Sequence, residues 1–369
     1  MQSPLLKIRI PGAAVVAGIL LLAILASWSW QRARGAGPSG FAAGLLVSGS
    51  RYAGGWYSSN FDAATRAAAR MGVDLLTADN LHSDPKAMMS ACDGMLRNGA
   101  RLIMMAGAWD PRIMEGYMRD HSYVQFTGYD MSVSLKNYHP LRFRVYEAAY
   151  LLGAAAALRS RSGIAGFVVP DLGPGSQRSL NAFALGAQGV KGRFKVKAVQ
   201  VGSLSSEQGG NEAVDRLLKL GADVICYMQD EDFIPRHCEG LGVDYLGFNE
   251  LAGASDHALS WSEFDFSTYY SEIFRAFSEG ALKDPVWIGA EGGAFVPGRY
   301  SAKLGRKARQ RLGDLYSRLA SGEEEIFPSP LEDSSGRMHR ASGAAFSDDE
   351  ILNKMDFLVK GVEIADARN

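Results

Sequence analysis

A chain of 369 residues is longer than one hydrophobic core ordinarily supports, and a composition of 47% apolar and 21% charged residues is that of a folded globular protein. A formal net charge of -1 provides no basic field for a polyphosphate backbone, which argues against nucleic acid as a partner. The cysteine count of 3 (Cys92, Cys226, Cys238) is odd and too small for a disulfide framework, and no CxxC or Cys/His spacing offers a zinc site.

From Pro11 to Trp30 there is no charge, with 18–25 as the apolar centre, Lys7 and Arg9 before it and Arg32 and Arg34 after it. A helix over this stretch spans the hydrocarbon core of a bilayer, about 30 Å thick, with Trp28 and Trp30 at one interface. Ala33-Arg34-Gly35 has small residues at cleavage spacing, but the neighbouring arginines and tryptophans make it a poor site. The reading is an uncleaved anchor over 1–34, with a cleaved signal sequence as the alternative, followed by a Gly/Pro/Ser linker over 35–40.

Beyond the linker, short apolar runs alternate with helical periodicity. Strands are predicted over 43–47, 73–77, 102–105 and 123–127, with helices over 60–71, 85–97 and 110–119 between them. The pattern restarts with a helix over 146–159. Strands over 164–169, 194–201, 224–228 and 245–248 then alternate with helices over 176–188, 211–220 and 232–239. Continuous rather than alternating apolar strands imply parallel sheets covered on both faces. Cys226, inside one such run, is a small core residue; a Cys226–Cys238 bridge is compatible with an oxidising compartment but not demanded.

Two tandem series predict two similar lobes, and open α/β sheets bind ligands beyond the carboxyl ends of their strands. The residues at those ends in the first series are Ser48 to Ser50, Trp56, Tyr57, Asn60, Trp109 and Asp130; in the second they are Asp171, Gln229, Asp230, Asn249 and Glu250. Aromatic rings mixed with amides and carboxylates suit a planar ligand with hydrogen-bonding edges. No catalytic grouping competes with binding. The glycine-bearing turn at 171–176 lacks a phosphate-binding lysine, and no GxSxG occurs. The 6 histidines follow polar or turn segments, and no pair of carboxylates is placed across a cleft. The expectation is a binding protein with no catalytic residues, no metal site and no cofactor.

Phe143, Arg144, Glu147, Tyr150, Leu151 and Gly153 resemble the F-R-x-x-E-x-x-Y-L-x-G segment of the basic membrane protein (BMP) family, substrate-binding proteins of ABC transporters best known for purine nucleosides. Ordered matches continue through 162–168, 182–187 and 221–225 to Ser321-Gly322, 330–333 and 355–362. The resemblance implies an α/β fold of two Rossmann-like lobes with parallel sheets, the type I periplasmic-binding-protein fold, plus the N-terminal hydrophobic helix. The lobes would be 41–137 with about 256–286, and 138–255 with about 287–369. It implies an extracytoplasmic protein that hands a small ligand to a permease.

The ligand pattern departs from the family. Where nucleoside-binding members carry D-x-S-F-N, this chain keeps only Asn60, with Trp56 at the Asp position and Ser59 at the Phe position. Leu204 stands for the second stacking Phe, and Asn249 for the ribose-binding Asp of G-V-D. Trp56, Tyr57, Trp109 and Trp261 add aromatic area, so the expected ligand is planar, nucleoside-like or a flavin. Asn60, Asp130, Asp230 and Asn249 would fix its polar edge. The alternative on the same fold is a membrane-anchored sensor or regulator.

Overall fold

The computed structural model describes residues 40–52, 54–82, 84–107, 111–129, 133–202, 206–248, 255–282, 288–340 and 343–365. The first sheet contains β1 (Ala42–Val47), β2 (Asp74–Ala78), β3 (Leu102–Ala106), β4 (Gln125–Tyr129) and β5 (Tyr138–Leu141). All pairs are parallel in the order β2-β1-β3-β4-β5. Its helices are α1 (Gly55–Met71), α2 (Pro85–Arg97) and the short α3 (Glu115–Asp120). Along β1, Leu45 and Val47 join one apolar cluster with α1, while Leu46 joins another with α2, so both faces are covered as the unbroken apolar run requires.

The helix starts differ in a way that bears on function. Asp84 caps α2 through its own side chain, accepting from the Lys86 and Ala87 amides at 2.9 and 3.4 Å, and Pro85 occupies the first turn. Helix α1 begins after Gly54 with no side-chain cap of its own.

The second lobe starts with α4 (Val145–Arg159), β6 (Ile164–Val169), α5 (Pro174–Val190), β7 (Lys195–Gln200), α6 (Glu207–Lys219), β8 (Val224–Tyr227), α7 (Phe233–Leu241), β9 (Asp244–Phe248) and β10 (Ala258–Phe264). After α8 (Ser267–Ser278) come β11 (Phe295–Pro297), α9 (Gly305–Ala320), the hairpin β12 (Leu331–Glu332) and β13 (Met338–His339), α10 (Asp348–Asn353) and β14 (Val362–Ile364). The sheet order is β11-β10-β9-β8-β6-β7-β14, with β11 antiparallel to β10 and the other pairs parallel.

Among the described residues the chain passes between lobes in three places. After β5, Phe143 bridges Ile288, and the Arg144 amide donates to the Ile288 carbonyl at 2.9 Å, so two crossings lie side by side. The third joins β10 of the second sheet to α8, which packs on α1 of the first lobe. The resemblance puts the lobe boundary at 137 and about 256–286 in the first lobe. The structure divides these segments differently: β5 still belongs to the first sheet, and β10 belongs to the second. β5 is Tyr-His-Pro-Leu and β10 carries Ser260, Ser262 and Glu263, so neither reads as an apolar strand.

The family-like residues of 143–153 hold this crossing region. Arg144 makes paired bonds to Asp348 at 3.0 and 2.8 Å, and Glu147 accepts from the Ala290 amide at 2.7 Å. Tyr150 donates to Glu324 at 2.7 Å. Gly153 lets α4 lie so close to α5 that a Cβ there would overlap the Phe183 carbonyl. The cysteines are buried and unbonded, and Cys226 and Cys238 sit in different apolar clusters, which removes the Cys226–Cys238 bridge. Among the described residues no helix is long and apolar enough to cross a membrane; the expected anchor at 1–34 lies outside them.

Candidate ligand site between the lobes

The start of α1 in the first lobe meets the segment that follows β8 in the second. Asp230, two residues beyond the β8–Met228 run in the second lobe, accepts from the Trp56 amide at 2.5 Å and the Tyr57 amide at 3.2 Å, both in the first turn of α1. The uncapped helix is thus capped by a carboxylate from the opposite lobe, which also meets the positive end of the helix dipole. Gly55 makes this approach feasible: its φ is +60°, and a Cβ would lie 2.8 Å from the Asp230 carbonyl oxygen and closer still to its carboxylate.

Asp230 is 4% exposed, and burial pushes its carboxyl up to about 7. The two amide bonds pull the other way, and Glu231 adds repulsion. Beside it, Gln229 is 1% exposed, and neither its Oε1 nor its Nε2 has a hydrogen-bond partner among the described residues. A buried primary amide with both ends unsatisfied is costly unless something else supplies the bonds. Tyr57 is buried in the large apolar cluster, and burial pushes its hydroxyl up to about 12, against the opposing effect of the Ser48 hydroxyl.

Other expected site residues are placed as follows. Trp56 is half-buried in an aromatic group at the crossings, with ring centroids 5.0 Å from Tyr129, 5.6 Å from Phe264 and 4.8 Å from Phe266. Asn60 is fully buried and its bonds are taken by protein: its Nδ2 donates to the Trp56 carbonyl at 2.8 Å, and its Oδ1 accepts from Tyr129 and from Tyr270, the latter at 2.8 Å. Trp261 lies in mid-strand on β10, buried among Tyr227, Tyr245 and Ala258, with Nε1 donating to Glu263 at 2.9 Å. It is buried on a sheet face, with its ring N–H already paired. Its aromatic type carries no information about this, because both faces of β10 are covered. Trp109, Asp130 and Asn249 lie outside the described residues. Gln229 is the strand-end group whose burial and unsatisfied bonds the sequence does not reveal.

Two α/β lobes with facing strand tips define the architecture of bilobal solute-binding proteins. A solved ABC transporter solute-binding protein from Conexibacter woesei superposes with a TM-score of 0.60 at 18% identity, over 77% of this chain and 97% of that one. A transcriptional activator of the comK gene from Bacillus halodurans gives 0.64 at 18% identity, over 77% and 99%. In sequence, a purine-binding protein of Brucella abortus is 26% identical over 273 residues, 72% of this chain and 77% of the relative. A putative ABC transporter glucose-binding protein of Haloferax volcanii is 26% identical over 226 residues, and the chain spans 54% of its length. The family described as ABC transporter substrate-binding protein, PnrA-like, matches residues 41–235, and the chain belongs to this Bmp family of extracytoplasmic substrate-binding proteins.

Proposed function

We propose that the cleft captures a small planar solute of the purine base or nucleoside type, which the closed lobes then present to an ABC permease. The observation that carries this reading is Gln229, a buried amide whose donor and acceptor are both unpaired beside Asp230. A primary amide matches the adjacent donor and acceptor on a purine edge, and a neighbouring carboxylate accepts from exocyclic or ring N–H groups. The Brucella relative, named as purine-binding, supports the same ligand class. Tyr57 and the Trp56 edge of the aromatic group would border the ring, with Trp109, Asp130 and Asn249 contributing from the neighbouring strand ends. The uncharged stretch from Pro11 to Trp30 would hold the protein at the outer membrane face.

Isothermal titration of the purified chain with adenine, guanine, adenosine, guanosine and riboflavin tests the ligand class. Binding of a purine with a dissociation constant around micromolar or below is the expected result. Binding of riboflavin with none of the purines would replace the reading with a flavin site.

A further inference from the structure

Helix α1 points an uncapped N-terminus into the interlobe gap, and such an end takes an anion. Here the anion is supplied by the protein itself, through the Asp230 carboxylate at 2.5 and 3.2 Å from the Trp56 and Tyr57 amides. We propose that Asp230 makes the cleft selective by charge: it fills the anion position of α1, so that the site admits uncharged or cationic purine-type solutes and rejects their phosphorylated forms. This inference rests on the purine reading of the cleft.

A phosphate on the ligand would have to displace Asp230 from a position that is only 4% exposed, or sit beside it. The second arrangement places two anions together where little water screens them, and like charges juxtaposed in that way oppose binding. The surrounding charges reinforce the effect. Glu231 follows directly, and the groups acting on the Asp230 carboxyl are burial, the two backbone amides and Glu231, with no cation among the described residues. Arg51, on the same loop as the α1 start, is bound to Asp79 at 2.7 Å. The unpaired Gln229 amide points to the same class of ligand, because an amide satisfies uncharged donors and acceptors rather than a net charge. Gly55 secures the device, since a side chain there would press on Asp230.

The test, made at pH 8 where the Asp230 carboxyl is ionised, is calorimetric titration of the full chain with adenosine and guanosine and with their monophosphates, in wild type, Asp230→Asn and Asp230→Ala, together with melting curves in millimolar inorganic phosphate. Circular dichroism checks that each variant is folded, and the isosteric Asp230→Asn guards against loss of structure in Asp230→Ala. The expected result is a wild-type preference for nucleoside over monophosphate of about tenfold or more, cut by about tenfold in Asp230→Asn. Inorganic phosphate should raise the melting temperature of Asp230→Ala but not of wild type. Equal wild-type affinities, or a preference unchanged in both variants, would overturn the proposal. A wild type that binds neither nucleosides nor monophosphates would overturn the purine reading instead. The phosphate melts then decide: stabilisation confined to Asp230→Ala upholds charge selection, and no difference from wild type rejects it.

Discussion

Gln229 and Asp230 stand next to each other at one strand tip, and their side chains make opposite demands. The unpaired Gln229 amide costs the folded protein roughly 1–3 kcal/mol, so a nonpolar residue of similar size should relieve that cost. Gln229→Met is expected to leave the melting temperature unchanged or higher while weakening purine binding about tenfold or more. A melting temperature that falls with affinity intact would make the residue purely structural. Asp230 titrates instead. In an open cleft its carboxyl is in water at its ordinary value; in the closed form it is pushed up to about 7, chiefly by burial. The closed form therefore holds the proton more tightly, and closure is favoured at low pH. That advantage is full below the ordinary carboxylate value, shrinks as pH rises, and is gone above about 7. Ligand-free protein should become more compact in small-angle scattering between about pH 8 and about pH 6, and Asp230→Asn should remove the change. Glu147 is also pushed up to about 7, but it bonds to Ala290 beside its own helix, so the Asp230 variant separates the two. At this scale the sequence carries residue type and strand-end position, which is enough to single out Asp230. It does not carry satisfaction: Asn60 looks like a ligand group until Tyr129 and Tyr270, the latter 210 residues away along the chain, occupy its oxygen.

Helices α4 and α5 show why family-like residues were easier to read than the ligand. Arg144, Glu147, Tyr150 and Gly153 act on the crossing segments and on helix packing. A motif of this kind reports architecture, whereas the start of α1 at 55–60 departs from the ligand pattern that the resemblance implies. Gly153→Val, which drives a branched side chain into α5, should lower unfolding stability in urea by about 1–3 kcal/mol, while the folded protein keeps its ligand affinity. An affinity that falls in step with stability would mean that this packing sets the cleft as well as the lobe. Strands β1, β3, β6 and β8 were legible because unbroken apolar runs have one explanation, burial on both faces. β5 and β10 were not, since Pro140, His139 and the serines of β10 resemble loop chemistry and are made strand only by their neighbours in the sheet.

For the whole molecule, three crossings packed around Phe143, Phe264, Phe266 and Trp56 give the lobes a shared aromatic pivot. Motion about such a pivot would open and close the gap between the start of α1 and the segment after β8 without unpacking either sheet. The tandem strand–helix series announced two lobes, but which segments cross could not be read, because crossing is decided by partners far apart in sequence. Bound solute and the Asp230 contact should both favour the closed arrangement, so the first turn of α1 and the β8 tip ought to respond together. Hydrogen exchange measured at pH 8 with and without a saturating purine tests this most directly. Amides at 54–60 and 228–231 should both gain protection on ligand addition, and the gain at Trp56 and Tyr57 should be lost in Asp230→Ala. Protection confined to one lobe, or exchange unchanged at both tips despite binding, would contradict a solute held between them.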